Sequence, residues 1–201
     1  DNADYKKEPL KYGEGYFPLR KDAKESEAFI YNIWKQIALA FNNAYDHHLI
    51  FETLNEPRMK GMEQEWWYDV NNKTCEEAAL TLNEYNRLAI RAIRESGANN
   101  EKRFILLPAL AAGYESTVLS PFDFPNDSKY NKNQKLMLSV HMYAPYDFVM
   151  NPDMTKKDFT LEYRAELYEK FSTIYNKFVR RGYHVVVGEM GIVNKNNTQA
   201  R

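Results

Sequence analysis

The sequence predicts an α/β chain with a parallel sheet, and three observations carry that prediction. Apolar runs of strand length alternate with longer stretches of helical period. The strand-length runs are continuous blocks rather than alternating ones, as expected for strands covered on both faces. No Gly-rich phosphate loop follows any of them, which removes support for a nucleotide-binding doubly wound sheet.

In chain order, a first helix is expected from about Ser26 to Tyr45, with Ile30, Ile33, Ile37 and Phe41 on one stripe. LIFETLN (49–55) is the first strand. A second helix is expected from about Glu76 to Glu95, where Leu82, Tyr85, Ala89 and Ile93 repeat at spacings of three and four. Thr74 and Glu77 offer it a capping box, and Gly97 a stop. RFILLPAL (103–110) and LMLSVHMY (136–143) are the next strands. A third helix is expected from about Leu161 to Arg181, with a stripe of Leu161, Ala165, Tyr168, Phe171, Tyr175 and Phe178, ended by Gly182. HVVVGEM (184–190) is the fourth strand. Crossovers between such parallel strands are right-handed.

Composition bounds what this chain does. Its 201 residues are 44% hydrophobic, enough for one sizeable core in a single domain over 1–201. A net charge of −1 lacks the basic excess of a nucleic-acid binder. No run of 18 apolar residues exists, so no membrane helix is expected. The opening DNADYKKEPLKYGEG is polar and lacks the apolar core of a signal peptide. Cys75 is the only cysteine, and it reads as a partly buried structural thiol at a helix start. The 15 Tyr, 11 Phe and three Trp suit both core packing and stacking on sugar faces.

The polar residues fall in one kind of place. Asn55 and Glu56 end the first strand, His141 and Tyr143 the third, and Glu189 the fourth. In a (β/α)8 TIM barrel, residues at the C-terminal strand ends converge on one active-site face. Two carboxylates there suit glycoside hydrolysis: one, protonated, releases the leaving sugar oxygen, and the other, ionised, attacks the anomeric carbon or activates water. A like charge nearby and partial burial separate their protonation states. Asn55 can donate to a sugar 2-hydroxyl, and Tyr143 to a carboxylate. Glu52, mid-strand, is expected to face the barrel interior and pair with a base or hydroxyl. His47 and His48 precede a strand at its opposite end, and a metal there needs further ligands, so neither metal nor cofactor is expected.

NEP (Asn55-Glu56-Pro57), HMY (His141-Met142-Tyr143) and GEMG (Gly188-Glu189-Met190-Gly191), in that order and each after a strand-like run, resemble glycoside hydrolase family 5, among the retaining (β/α)8 glycosidases. The segments HLIFETLNEPR, NNEKRFILLPALAA, SVHMYAPYDF and VVVGEMGIVNKNN are similar to its bacterial endo-β-1,4-glucanases. The resemblance implies Glu56 as general acid/base and Glu189 as nucleophile. It implies Asn55 on the 2-hydroxyl, His141 near the acid/base and leaving group, and Tyr143 on the nucleophile. Trp66, Trp67 and Tyr146, on the loops after Glu56 and His141, are candidate sugar platforms. The implied substrate is a β-glucan, cellulose or a mixed-linkage polymer, with xyloglucan, xylan or mannan as alternatives. A carbohydrate-binding remnant without turnover is the rival from another class. A polymer-degrading enzyme is expected to be secreted or at the cell surface, and no nucleic acid or membrane partner is implied.

A full barrel needs eight strands and about 250 residues, and four strands are found. The residues match the central part of the family's barrel, from its third helix through its seventh strand. Asp1-Asn2 match the positions just after the third strand, whose end in the family carries a His-His pair. The family's second-strand arginine, those histidines and the eighth-strand tryptophan have no counterpart here. Open barrel edges imply self-association, and much reduced or no activity is expected of residues 1–201 alone.

Overall fold

The structure, a computed structural model, describes residues 17–127, 135–151 and 156–196. Asp1 and Asn2 lie outside the described residues. Four parallel strands pair in sequence order: β1 Phe51–Glu52, β2 Ile105–Gly113, β3 Leu136–His141 and β4 His184–Glu189. Helices α1 Ala23–Ala40 and α2 Lys73–Glu95 flank β1, α3 Tyr114–Leu119 and the one-turn α4 Tyr146–Val149 follow β2 and β3, and α5 Leu161–Lys177 precedes β4. The alternation makes an open segment of a (β/α)8 barrel, with helices outside and the strand ends together. No helix among the described residues is long and apolar enough to cross a membrane.

The local signals explain most elements, with informative exceptions. α2 is the longest helix, and Leu82, Tyr85, Ala89 and Ile93 are all buried as their spacing requires. Its cap is not the expected capping box. Asn72, in extended conformation, accepts from the backbone N–H of Thr74 and Cys75 at 2.9 and 3.4 Å. Glu77 instead accepts from the N–H of Arg20 at 2.9 Å, tying the chain before α1 to α2. Gly97, at φ 69°, turns the chain after the helix. Cys75 is fully buried, and burial pushes its thiol above the usual range.

Two stripes are misread by period alone. α1 buries Ser26, Ile30, Trp34 and Ala38, one helical row, while Ile33 and Phe41 are exposed. Trp34 fixes that face, because its indole N–H donates to the Thr53 carbonyl at 2.9 Å and its ring meets Phe51. In α5, Leu161 is 81% and Tyr168 75% exposed, so the expected aromatic stripe faces out. Of that stripe only Phe178, just past the helix, is buried, and the helix itself packs through Leu167 and Ile174. Lys177, near its end, donates to the carbonyls of Thr117 and Val118, satisfying the C-terminus of α3.

The strands also differ in cover. β3 is buried along its whole length, whereas β4 is half-exposed, correcting the expectation that all four are covered on both faces. β4 is an edge of the sheet among the described residues. Along β3 the side chains alternate: Leu138 and Val140 pack toward α5, while Ser139 and His141 point inward. The inward Ser139 hydroxyl donates to the Glu52 carboxylate, the hydroxyl partner expected for that half-buried charge.

The N-terminal ends of the strands rest on two buried arginines that sequence period does not reveal. Arg103, fully buried below β2, donates to the carbonyls of Phe41, Tyr45, Asp46 and Leu49 and to the Asn100 side chain. Arg94, at the end of α2, forms a two-oxygen pair with Asp127 and also donates to the carbonyls of Asn100 and Arg103. Both side chains of the Arg94–Asp127 pair are 0% exposed. Removing one member of such a pair leaves an uncompensated buried charge. Asp127→Ala is therefore expected to lower unfolding stability by roughly 3–5 kcal/mol, read from the urea midpoint at constant slope.

Candidate active site

The candidate site forms where β1, β3 and β4 end. Beyond β1 the chain stays in register through Thr53, whose N–H donates to the Leu106 carbonyl at 3.0 Å. The Thr53 hydroxyl donates to Asn86 Oδ1 at 2.7 Å, and the Asn86 amide donates to the Pro108 carbonyl at 3.1 Å. One buried amide on α2 thus fixes the exits of two strands. Glu56 follows three residues after Thr53 on the turn that Pro57 makes rigid.

That turn is gripped from β2. Pro108 has no N–H to give the ladder, and the pairing of β2 with β3 slips between Pro108 and Gly113. Within the slip, Ala111 and Ala112 adopt left-handed φ of 52° and 47° while buried. Side chains bearing a Cβ reach that region only at a cost of about 1–3 kcal/mol each. The distortion turns the Ala111 N–H toward Pro57, to whose carbonyl it donates at 2.7 Å. Arg58 adds a second hold, donating to the Glu56 carbonyl at 3.1 Å and to Glu65 at 3.0 Å.

A second irregularity places the other carboxylate. Val140 pairs with Val187, but His141 pairs with Glu189, so Gly188 is an extra residue in β4. Val187 packs toward α5, and strict alternation would put Glu189 on that side too. The bulge turns Glu189 inward beside His141. Glycine suits the close fit there: a Cβ at Gly188 would lie 3.0 Å from Ser139 Oγ and 3.4 Å from the His141 ring.

The outcome is a compact hydrogen-bonded group. His141 Nδ1 lies 2.8 Å from Glu56 Oε1 and 3.6 Å from Glu189 Oε2. The Tyr143 hydroxyl donates to Glu189 Oε2 at 2.8 Å. Donor atoms of Glu56, His141 and Glu189 all fall within 4.8 Å of one another. The imidazole is 3% exposed, the Glu56 side chain 18% and the Glu189 side chain 41%, so one carboxylate is sheltered and the other open. The Tyr143 phenol is held above its ordinary range, first by its hydrogen bond to Glu189, then by burial and by the Glu189 and Glu56 charges. It therefore remains a donor throughout the neutral range. The arrangement can protonate a leaving group from one side while presenting an ionised oxygen a few ångströms away.

Of the other residues singled out from the sequence, Asn55 sits exposed at the rim beside Glu56. Trp66 and Trp67 are 53% and 46% exposed on the loop after Glu56, and the Arg58 guanidinium lies 4.4 Å over the Trp66 ring. Trp66 is thereby coupled to Glu56 through a single arginine. Tyr146, 69% exposed, opens α4 after the HMY segment. These four stand outside the His141-centred group. Lys195, in the segment after β4, is buried, and its ammonium donates to the Asn151 carbonyl at 2.7 Å. The sequence reading passed over Arg58, Gly188 and the Ala111–Ala112 pair. Arg58 directly after NEP and glycine beside Glu189 were the available signals; the left-handed alanines left none. His47 and His48 lie at the far end of the sheet, where exposed Asp46 supplies a third potential ligand.

Two expectations follow from this geometry. Gly188→Ala must push Ser139 or His141 aside, so it should shift the His141 ring resonances in NMR spectra and cost roughly 1–3 kcal/mol of stability. The Tyr143 phenol, with its folded value above 10.0, contributes stability that is complete below that unfolded value and is lost as pH rises through the folded one. In a spectrophotometric titration, Tyr143→Phe should remove one late-ionising phenol, and Glu189→Gln should bring that phenol's transition to lower pH.

Comparison with known proteins gives a consistent result. The model of the family described as Cellulase (glycosyl hydrolase family 5) matches residues 13–201. Endoglucanase B of Clostridium cellulovorans is 37% identical over 100% of this chain and 44% of its own length. Endoglucanase 1 of Ruminococcus albus is 38% identical over 92% of this chain and 41% of its own. Among solved structures, a Glycoside Hydrolase 5 lichenase from a Caldicellulosiruptor species, in complex with cellotetraose, superposes with a TM-score of 0.86 at 35% identity. That match covers 96% of this chain and 52% of the lichenase. A broad-specificity endoglucanase from Clostridium acetobutylicum superposes at 0.81 with 36% identity, over 92% of this chain and 53% of its own. The chain thus spans about half the length of these relatives, or less.

Proposed function

Since the chain belongs to the cellulase family, glycoside hydrolase family 5, we propose that its site carries out endo-acting hydrolysis of β-1,4-glucosidic bonds in cellulose or mixed-linkage β-glucan. The observation that carries this reading is the closeness of the two carboxylates, whose oxygens approach within 4.8 Å around His141. Retaining glycosidases hold their pair about 5–5.5 Å apart, and inverting ones about 6.5–9.5 Å. The spacing leaves no room for a water between carboxylate and sugar, so the open carboxylate itself attacks.

In the proposed course, Glu189 is the nucleophile. It is the more open of the two, and the Tyr143 hydroxyl fixes the orientation of its Oε2. Glu56 is the general acid, giving its proton to the leaving oxygen and later taking one from the incoming water. His141, with a proton on Nδ1, donates to Glu56 once that carboxylate is ionised, which stabilises the group between the two steps. Asn55, at the rim, donates to the 2-hydroxyl as positive charge grows on the sugar. Trp66, Trp67 and Tyr146 offer exposed rings to glucose faces along the groove. Trp66 lies beneath Arg58, which also holds the Glu56 carbonyl. A polymeric substrate is met outside the cell, so the reading includes a secreted or cell-surface location. The binding-only alternative gives the Tyr143–Glu189–His141–Glu56 chain no role and is less favoured.

A cellobioside carrying fluorine at C2 and a good leaving group tests the mechanism without needing fast turnover. It should leave a glycosyl ester on the peptide containing Glu189, and none on the Glu189→Ala chain. Hydrolysis of soluble mixed-linkage glucan should fall by roughly 10⁴-fold or more in Glu189→Ala, and the first product should be the β-anomer. Label on another residue, or an α-anomer, would sink the assignment.

A further inference from the structure

The same strand ends have the geometry of a metal chelate, and we propose that Glu56, His141 and Glu189 bind a divalent transition-metal ion, zinc fitting best, in a way that shuts sugar out of the carboxylate pair. An imidazole with two carboxylates is a zinc donor set of the three-ligand kind, which keeps a fourth position open. Zinc bonds of about 2.0–2.2 Å in a tetrahedron hold neighbouring donors roughly 3.3 Å apart. His141 Nδ1 is 2.8 Å from one carboxylate oxygen and 3.6 Å from the other, on either side of that value. The remaining separation is at most 4.8 Å and closes by about 1.5 Å at most. A small rotation of the half-exposed Glu189 side chain supplies the movement.

Preorganisation favours this site over other clusters. The three donors come from three strand ends that the sheet already holds together. The His141 ring is buried on β3 with its Cδ2–Nε2 edge beside Gly188, and its Nδ1 faces the two carboxylates. The Tyr143 hydroxyl on Glu189 Oε2 orients a ligand in the manner of the outer hydrogen bonds of known metal sites. A dication also cancels the repulsion of two carboxylates. Asp46, His47 and His48 form the competing cluster, with donors equally close, but all three are exposed on one surface turn and must be ordered by the metal itself. Chelation needs only the three donors; its blocking of hydrolysis rests on the reading of the previous subsection.

Zinc titrated into the purified chain against a chromophoric chelator, at about pH 7.5 because protons compete with metal for its ligands, should fill a single site. His141→Ala and, separately, the isosteric Glu189→Gln should each weaken it at least about tenfold. Replacing His47 and His48 together by alanine should leave it unchanged. Binding that survives Glu189→Gln and His141→Ala, or is lost only with His47 and His48, overturns the proposal, as does no binding up to millimolar zinc. Glu189→Gln decides the matter if His141→Ala does not fold. A chain that chelates zinc through these residues but takes up the fluorinated cellobioside on a residue other than Glu189 defeats the hydrolase reading and leaves the metal site standing. Undiminished cutting at full zinc occupancy defeats the exclusion of sugar.

Discussion

Two buried guanidinium groups at the base of the sheet set the frame for everything above them. Arg103 collects four backbone carbonyls from the connection between α1 and β1. Arg94 joins the end of α2 to the Arg103 carbonyl and to Asp127 beyond β2. A buried charge is tolerated only when its donors are satisfied, and here each guanidinium satisfies its donors by pinning loops. Burial pushes Arg103 below its ordinary range, yet a guanidinium remains charged there. The strands therefore leave the base in one register, and their far ends arrive at fixed relative heights.

From that base the sheet is regular until the chemistry begins. β1, β2 and β3 pair residue for residue through Glu52, Pro108 and Ser139. Above that level both β2 and β4 slip. The slip in β2 offers an N–H to the loop bearing Glu56, and the slip in β4 turns Glu189 inward. The register slips gather at the candidate site, whereas at the base left-handed Gly97 and Ala98 fall in the turn after α2 and leave the ladder intact. Stability and chemistry thus occupy opposite ends of the same strands, as in barrels generally.

Legibility followed the same division. The strand blocks and the 82/85/89/93 row of α2 were readable, because a short continuous apolar run and one full apolar stripe each leave a trace in sequence, even though β4 is half-exposed. α1 and α5 were misread for one reason: both carry more large apolar residues than a single stripe needs. Period alone cannot choose between the 30/34/38 row and its neighbours in α1; the indole of Trp34 meeting Thr53 makes that choice. In α5 the outward row of Tyr168 and Tyr175 competes with an inward row that reaches β3 and β4. Arg94 and Arg103 look in sequence like surface charges, and only tertiary contacts identify them as buried.

The sequence by itself determined which residues meet. NEP, HMY and GEMG each close an apolar run, and parallel strands have no choice but to bring their C-terminal ends to one rim. It also determined the chemistry available there, since two carboxylates, an imidazole and a phenol are given by residue type. Tertiary structure decided how they face. Strict alternation along HVVVGEM sends Glu189 outward with Val187, and only the unpaired Gly188, close against Ser139 and His141, reverses it. The position of Glu56 depends likewise on left-handed alanines whose conformation no propensity foretells. Both choices arise from strand-to-strand fit, a property of pairs of segments that a single segment does not encode.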